Sequence, residues 1–132
     1  MKILVLMLTL FTSTMSTQNS FAQDCLIGEI RMFAGNFAPR GWGLCQGQLL
    51  PISQNSALFS ILGTTYGGDG RTTFGLLDLR GHVPIGSGKG PGLEDVFLGQ
   101  RKNTQGASGN NGPPSLGLNF IICINGQYPS RN

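Results

Sequence analysis

Apolar and polar residues alternate along several short stretches of the chain, as they do in half-buried β-strands. The clearest stretches are residues 28–34, 71–77 and 117–125, and Trp42 opens a further apolar segment that ends at Cys45. In the first stretch, apolar side chains fall on both sides of the strand, which predicts that both of its faces are covered. Glycine-rich turns and long loops separate these stretches. The pattern predicts a mainly β fold.

One stretch, residues 53–62, has helical rather than alternating spacing. Ser53 can cap the free N–H groups of the first turn, and Gly63 follows where helices commonly end in a left-handed residue. The apolar stripe consists of Ala57, Leu58, Ile61 and Leu62. A helix of about ten residues is marginal in isolation, so this stripe must pack into the core. The chain is therefore predicted to be a β-rich α+β single small domain with one short helix.

The N-terminus has the pattern of a cleaved signal peptide. Lys2 precedes an apolar run over residues 3–11, and Ser20-Phe21-Ala22 is a small-x-small cleavage pattern. The apolar run is too short to cross a bilayer. We therefore expect cleavage after residue 22, leaving residues 23–132 as one small exported domain that is not membrane-spanning and is secreted, extracellular or periplasmic.

Charged side chains are scarce and scattered. They make up 11% of the residues, and the formal net charge is +3. No run of Lys or Arg with interleaved aromatic residues is present, which argues against nucleic-acid binding. Freely soluble monomers usually carry about a quarter or more of charged residues on their surface. The composition therefore favours a protein that packs against copies of itself or another surface outside the cell.

Residues 89–114 have the composition of a flexible loop. Glycine, proline and asparagine recur throughout, and the only apolar island is Val96-Phe97-Leu98. Glu94-Asp95 in this loop is the only adjacent acidic pair, and nothing apolar around it would raise a carboxyl pKa for acid catalysis.

Other motifs for cofactor or metal chemistry are incomplete. The run 86–90 differs from a phosphate-binding loop, because Val83 replaces its first glycine and Gly90 its Ser or Thr. His82 has no Cys or His at metal-ligand spacing, and Asp69 lacks the alternating acidic residues of a calcium loop. No nucleophile-elbow sequence surrounds a serine. We predict no catalytic residues, no metal, no cofactor and no enzymatic activity.

Three charged residues around a glycine-rich turn are predicted to have structural roles. Gly67-Gly68-Asp69-Gly70 must form a tight turn in which several residues need positive φ. Asp78 and Arg80 lie two residues apart, so their side chains point the same way in an extended segment. We expect Arg80 to pair with Asp78 or Asp69 and to pin the glycine turn to the second strand.

Several motifs along the chain resemble the phage tail-collar domain family, which includes the bacterial microcystin-dependent proteins. The resemblance covers residues 27–92 and 116–132. The motifs that carry it are TTYGGDGRTTFGLLDLRGHVPIGSGKG (64–90), IGEIRMFAG (27–35), APRGW (38–42), CQGQLL (45–50) and ISQNSALFSILGTTYGGDG (52–70). It implies a tail-collar-like fold and self-association as a trimer or fibre.

The chain departs from this family at two places. Leu77 stands where the family has proline, which loosens the corner before Asp78 slightly. The Leu-Pro-Ser-His-Thr-His-like segment that relatives carry in the longer version of residues 89–114 is missing. The second departure weakens any specific receptor-binding role carried over from tail fibres.

The three cysteines permit three different single disulfides. Cys45 lies in an apolar segment and behaves as a buried small hydrophobe, and the family commonly has Cys there. Cys25 and Cys123 flank the first and last strands, which often lie together in a compact domain. We expect a Cys25–Cys123 disulfide, although the spacing alone leaves the other pairings open.

Two functions fit these features. The first is an exported non-enzymatic structural or adhesive module that self-associates at or outside the cell surface, as the resemblance implies. The second is a monomeric module that binds a cell-surface carbohydrate or receptor through Trp42, Phe37 or Tyr66. Aromatic side chains can serve as stacking platforms, but a single tryptophan is more commonly a core anchor. A buried Trp42 and large apolar patches would favour the first function.

Overall fold

The computed structural model of the protein describes residues 25–102 and 115–131. It is mostly β, with one short helix, which confirms the predicted fold class. The predicted signal peptide and most of the second half of the predicted 89–114 loop lie outside the described residues. The elements are β1 (Ile30–Phe33), β2 (Trp42–Leu44), β3 (Leu49–Pro51), a 3₁₀ turn (Ile52–Gln54), α1 (Ser56–Leu62), β4 (Thr73–Gly75) and β5 (Asn119–Cys123).

The strands form two small antiparallel sheets. One has the order β1-β5-β2 and the other pairs β3 with β4. In the larger sheet, Ile122 at the centre of β5 lies opposite Ile30 on one side and Gly43 on the other. β5 comes last in the sequence but occupies the middle of its sheet. The sheet therefore depends on contacts between the two ends of the domain.

The core forms where the helix meets both sheets. Leu58 from α1, Phe74 from β4 and Ile122 from β5 are each 0% exposed. Phe59 stacks obliquely on Phe74, with ring centroids 5.4 Å apart. The other buried members of this cluster are Ile27, Cys45, Leu76 and Leu77. Because this cluster combines side chains from the helix and from both sheets, these elements stabilise one another.

The helix begins later than predicted. Pro51 has the extended conformation that precedes the 3₁₀ turn, and the Asn55 N–H closes that turn on the Ile52 C=O. Asn55 itself has φ −136° and ψ 37°, so the α-helix starts only at Ser56. Ser53 lies inside the 3₁₀ turn, and the predicted cap at Ser53 is therefore wrong. The predicted end is correct, because Gly63 has φ 56° and donates its N–H to the Phe59 C=O.

The prediction that both faces of the first strand are covered is also wrong. Ile30 is 41% exposed and Met32 67% exposed. β5 is the only neighbour of β1 in the described part of the chain, so β1 lies at an edge of its sheet. The core packs beneath the central strand, where Ile122 is fully buried, and leaves the apolar side chains of β1 at its margin.

Candidate functional site

Asp69 organises the glycine turn through its carboxylate. Oδ1 accepts the backbone N–H groups of Arg71, Thr72 and Thr73, each at 2.9 Å, and Oδ2 accepts the Thr72 hydroxyl at 2.7 Å. These hydrogen bonds stabilise the carboxylate and hold the pKa of Asp69 well below its usual range. Gly67, Gly68 and Gly70 all have positive φ, as predicted. Asp69 therefore shapes its own turn, and its described contacts do not include Arg80.

Arg80 instead contacts Asp78 at the next corner. Its Nε lies 2.9 Å from Asp78 Oδ1 and its Nη2 lies 2.7 Å from Oδ2. The same Nη2 donates to the Gln46 C=O at 3.1 Å. The Arg80 guanidinium lowers the pKa of Asp78 well below its usual range, and Asp78 raises the pKa of Arg80. The pair thus lies against the segment that follows β2.

Backbone hydrogen bonds reinforce this attachment of the corner. The Leu79 N–H donates to the Cys45 C=O at 3.0 Å, and the Gly47 N–H donates to the Leu77 C=O at 3.2 Å. His82 at the same corner is exposed, with Nδ1 2.7 Å from the Arg80 C=O. The contacts around His82 and Asp78 are therefore those of a turn.

A disulfide joins Cys25, just before β1, to Cys123 at the end of β5, which confirms the predicted pairing. Cys45 is a free, buried thiol. Burial raises the pKa of Cys45 to about 11, so the reactive thiolate is strongly disfavoured at neutral pH. Cys45 thus behaves as a packing residue.

The three aromatic candidates lie in two places. Trp42 is half-buried, and the Arg31 guanidinium covers its ring at 5.1 Å from the centroid. Phe37 is 59% exposed and packs edge-to-face on Phe33, with ring centroids 5.5 Å apart. Tyr66 packs against the core cluster, and its burial raises its pKa. Trp42 and Phe37 both flank β1, whereas Tyr66 supports the core.

An open apolar groove runs beside β1. It has a volume of about 340 Å³ and is lined by Ile30, Arg31, Met32, Leu77, Leu79, Pro84 and Phe120. Val83 and Ile85, which flank Pro84 in the sequence, are 82% and 51% exposed. This groove was not predicted from the sequence, because both faces of the first strand were expected to be covered.

The acidic pair in the predicted loop and the possible metal ligands were also located in the structure. Glu94 forms an ion pair with Lys102 at 2.5 Å, and this contact lowers the pKa of Glu94, so the carboxylate is not a proton donor near neutral pH. Within residues 25–102 and 115–131, no three His, Cys, Asp or Glu side chains cluster as metal ligands would. In the same residues, no helix has the length and apolar character needed to cross a membrane.

Comparison with known proteins shows what this part of the chain is similar to. The comparison with curated proteins found no match to the chain. The family model for the Phage Tail Collar Domain matches residues 28–84. This range begins just before β1 and ends after the Asp78–Arg80 corner, and it includes β1 to β4 and the helix. This match confirms the resemblance to the phage tail collar domain family over residues 28–84.

Proposed function

We propose that the protein is an exported, non-enzymatic structural or adhesive module that self-associates, as a trimer or a fibre, at or outside the cell surface. In this proposal residues 1–22 are a cleaved signal peptide and residues 23–132 are the collar-like domain. The main support for this proposal is the apolar surface around β1, which stays exposed in a single copy of the chain. The collar domain, which belongs to a structural family of phage tails, supports the same conclusion.

The extent of this apolar surface favours association. Met32, which lines the groove, is 67% exposed, and Val83, the neighbour in sequence of the lining residue Pro84, is 82% exposed. Large contiguous apolar patches on soluble proteins usually mark interaction sites. The protein also has a low charged fraction, 11%, so few charges would have to be desolvated when copies associate. Both features fit a module that assembles into a larger structure.

The alternative is a monomeric module that binds a carbohydrate or receptor through the aromatic residues beside β1. Phe37 is exposed and packs edge-to-face on Phe33, so its ring could serve as a small platform on which a ligand stacks. Trp42 is less suited to this role because the Arg31 guanidinium already occupies one face of its ring. Phe37 is therefore the better candidate of the two for a stacking contact.

Light scattering on a sizing column tests the two functions. We expect the purified, oxidised protein to have the mass of a trimer or a larger polymer. Because the Cys25–Cys123 disulfide lies within one chain, reductant should leave that mass unchanged. A monomer at all concentrations would contradict the structural proposal. Glycan-array binding that is lost in Phe37→Ala but retained in Tyr66→Ala would then support the alternative.

A further inference from the structure

The chain continues beyond β5 into a short segment, residues 126–128, that turns back over the N-terminal end of the domain. The Gln127 N–H donates to the Cys25 C=O, and the Ile27 N–H donates to the Gln127 C=O, each at 2.9 Å. Leu26 and Gln127 form a parallel β-bridge between these bonds. We call residues 126–128 the C-terminal latch, because they tie the end of the chain to the segment before β1.

A tyrosine hydroxyl fastens the latch to the helix. The hydroxyl oxygens of Tyr128 and Ser60 lie 2.9 Å apart. Ser60 donates its single hydroxyl proton to the Ala57 C=O at 2.7 Å, so Tyr128 is the donor in the hydrogen bond between the two side chains. Tyr128 is 55% exposed, so much of its ring stays in solvent and the hydroxyl makes the attachment to α1.

The latch lies directly on the disulfide. A Cβ at Gly126 would lie 2.6 Å from the Cys123 Sγ, closer than a Cβ can approach, and 3.0 Å from the Cys25 Sγ. Only glycine therefore fits at this place against the two sulfur atoms. Cys25 and Cys123 are 1% and 0% exposed, although Gly126 itself is exposed. On this side, a single residue thus separates the disulfide from solvent.

We propose that the C-terminal latch controls reduction of the Cys25–Cys123 disulfide: a thiol reaches the sulfur atoms when the latch opens, while the rest of the domain stays folded. The described contacts that hold the latch are two backbone hydrogen bonds and one exposed hydroxyl pair. β5, in contrast, is paired with a strand on each side. Segments with few, exposed contacts open at a lower free energy than the whole domain unfolds. The latch lies within one chain, so its role does not depend on self-association.

The reduction itself takes two electrons from a dithiol. One sulfur of the dithiol, as the thiolate, attacks the Sγ of one cysteine. The S–S bond breaks, and its electron pair leaves on the other cysteine, which takes up a proton. The second sulfur of the dithiol then displaces the first cysteine, which is also protonated, and the dithiol becomes a cyclic disulfide. The first attack needs direct approach to a cysteine sulfur, which the closed latch prevents.

Three variants of the full, oxidised chain distinguish opening of the latch from unfolding of the domain. Tyr128→Phe removes only the hydroxyl that contacts Ser60, and Gly126→Ala places a methyl group against the sulfur atoms. Gly81→Ala is the control, because it strains a turn outside the latch, where an added Cβ meets nothing within 4 Å. We expect dithiothreitol to reduce Tyr128→Phe about threefold faster and Gly126→Ala about tenfold faster than wild type, and Gly81→Ala at the wild-type rate.

Three measurements follow the latch and the domain separately. Peptide mass spectrometry of acid-quenched samples, alkylated with iodoacetamide in urea, gives the fraction of Cys25 and Cys123 that is reduced at each time. Urea denaturation gives the unfolding free energy of each variant. Amide hydrogen exchange of Ile27 and Gln127, whose N–H groups join the latch to the N-terminal segment, reports its opening.

The proposal is supported if reduction is faster in the latch variants than in Gly81→Ala, and if the Ile27 and Gln127 amides exchange faster in Tyr128→Phe. Equal reduction rates for Tyr128→Phe and wild type would overturn it. A rate in Gly81→Ala that rises in proportion to its loss of unfolding free energy would also overturn it, because reduction would then require unfolding of the domain. If Gly126→Ala does not form the disulfide, the comparison of Tyr128→Phe with Gly81→Ala decides the outcome.

Discussion

The Arg80 guanidinium contacts the Asp78 carboxylate through two parallel N–H···O hydrogen bonds of 2.9 and 2.7 Å. The Nη2 that makes the shorter bond also donates to the backbone C=O of Gln46, which lies 34 residues earlier in the chain. One side chain thus ties the corner after β4 to the segment after β2. The carboxylate orients the guanidinium, and the guanidinium makes the long-range contact.

Replacement of Arg80 by alanine should therefore destabilise the domain modestly. Arg80 is 64% exposed, so solvent screens the ion pair, and the main loss is the hydrogen bond to Gln46. We expect a melting temperature about 5 °C lower for Arg80→Ala, and only partial recovery in Arg80→Lys, because lysine cannot make the parallel pair. Arg71→Ala, at an exposed position in the glycine turn, is the control. Equal melting temperatures for Arg80→Ala and wild type would remove this structural role.

Asp69 should make stability depend on pH in the acid range. The pKa of Asp69 is lower in the folded protein than its ordinary value of 3.8, so its stabilising contribution is fully present above that value. The contribution is lost as the pH falls through the lower pKa of the folded state. Asp69→Asn should therefore be less stable than wild type at pH 7, and the two melting temperatures should converge towards about pH 2.

Thermal unfolding of both proteins between about pH 2 and pH 7 measures this difference. Asp95→Asn, an exposed acidic residue outside the turn, provides the control and should follow the wild-type curve. The role of the charged carboxylate would be contradicted if the melting temperatures of Asp69→Asn and wild type differed by the same amount at every pH in this range.

The disulfide should contribute substantially to stability. Cys25 and Cys123 are separated by 98 residues, and a cross-link that closes a long loop restricts the unfolded chain. We expect the double variant Cys25→Ser/Cys123→Ser to lose about 2–5 kcal/mol of unfolding free energy, measured by urea denaturation. Reductant should destabilise wild type by a similar amount and leave the double variant unaffected. Sensitivity of the double variant to reductant would implicate Cys45 in an unexpected disulfide.

Gly68 should be irreplaceable for a reason that goes beyond its backbone conformation. A Cβ at Gly68 would lie 2.3 Å from the Phe74 Cα and 2.6 Å from the Thr73 oxygen, both main-chain atoms that cannot rotate away. Gly81 also has positive φ, but a Cβ there meets nothing within 4 Å. We expect Gly81→Ala to cost about 1–2 kcal/mol and Gly68→Ala to cost more than about 3 kcal/mol. Similar unfolding free energies for the two variants would contradict the close approach of turn and strand.

The features that follow correctly from the sequence are mostly local. Gly63 and Gly67 adopt positive φ because the turn chemistry at those positions depends on nearest neighbours. Asp78 and Arg80 are also close for a local reason, because they lie two positions apart and their side chains point the same way. The Cys25–Cys123 pairing required one further assumption, that the first and last strands of a small domain lie together.

The two errors have different origins, one local and one non-local. The helix start was misplaced because the 3₁₀ turn that ends in the Asn55–Ile52 hydrogen bond competes with a helical first turn. The burial of β1 was predicted wrongly because the alternation of apolar and polar residues identifies an apolar face of a strand. It does not identify the segment that covers that face.

The sequence by itself determined the class of fold, the collar motifs, the positions of the tight turns and the residues able to form the disulfide. Only the tertiary structure decided that β5 lies between β1 and β2, and that Ile30 and Met32 remain exposed on the edge strand β1. The reason is that turn geometry depends on a few neighbouring dihedral angles, whereas the burial of a strand depends on segments about ninety residues away that pack against it.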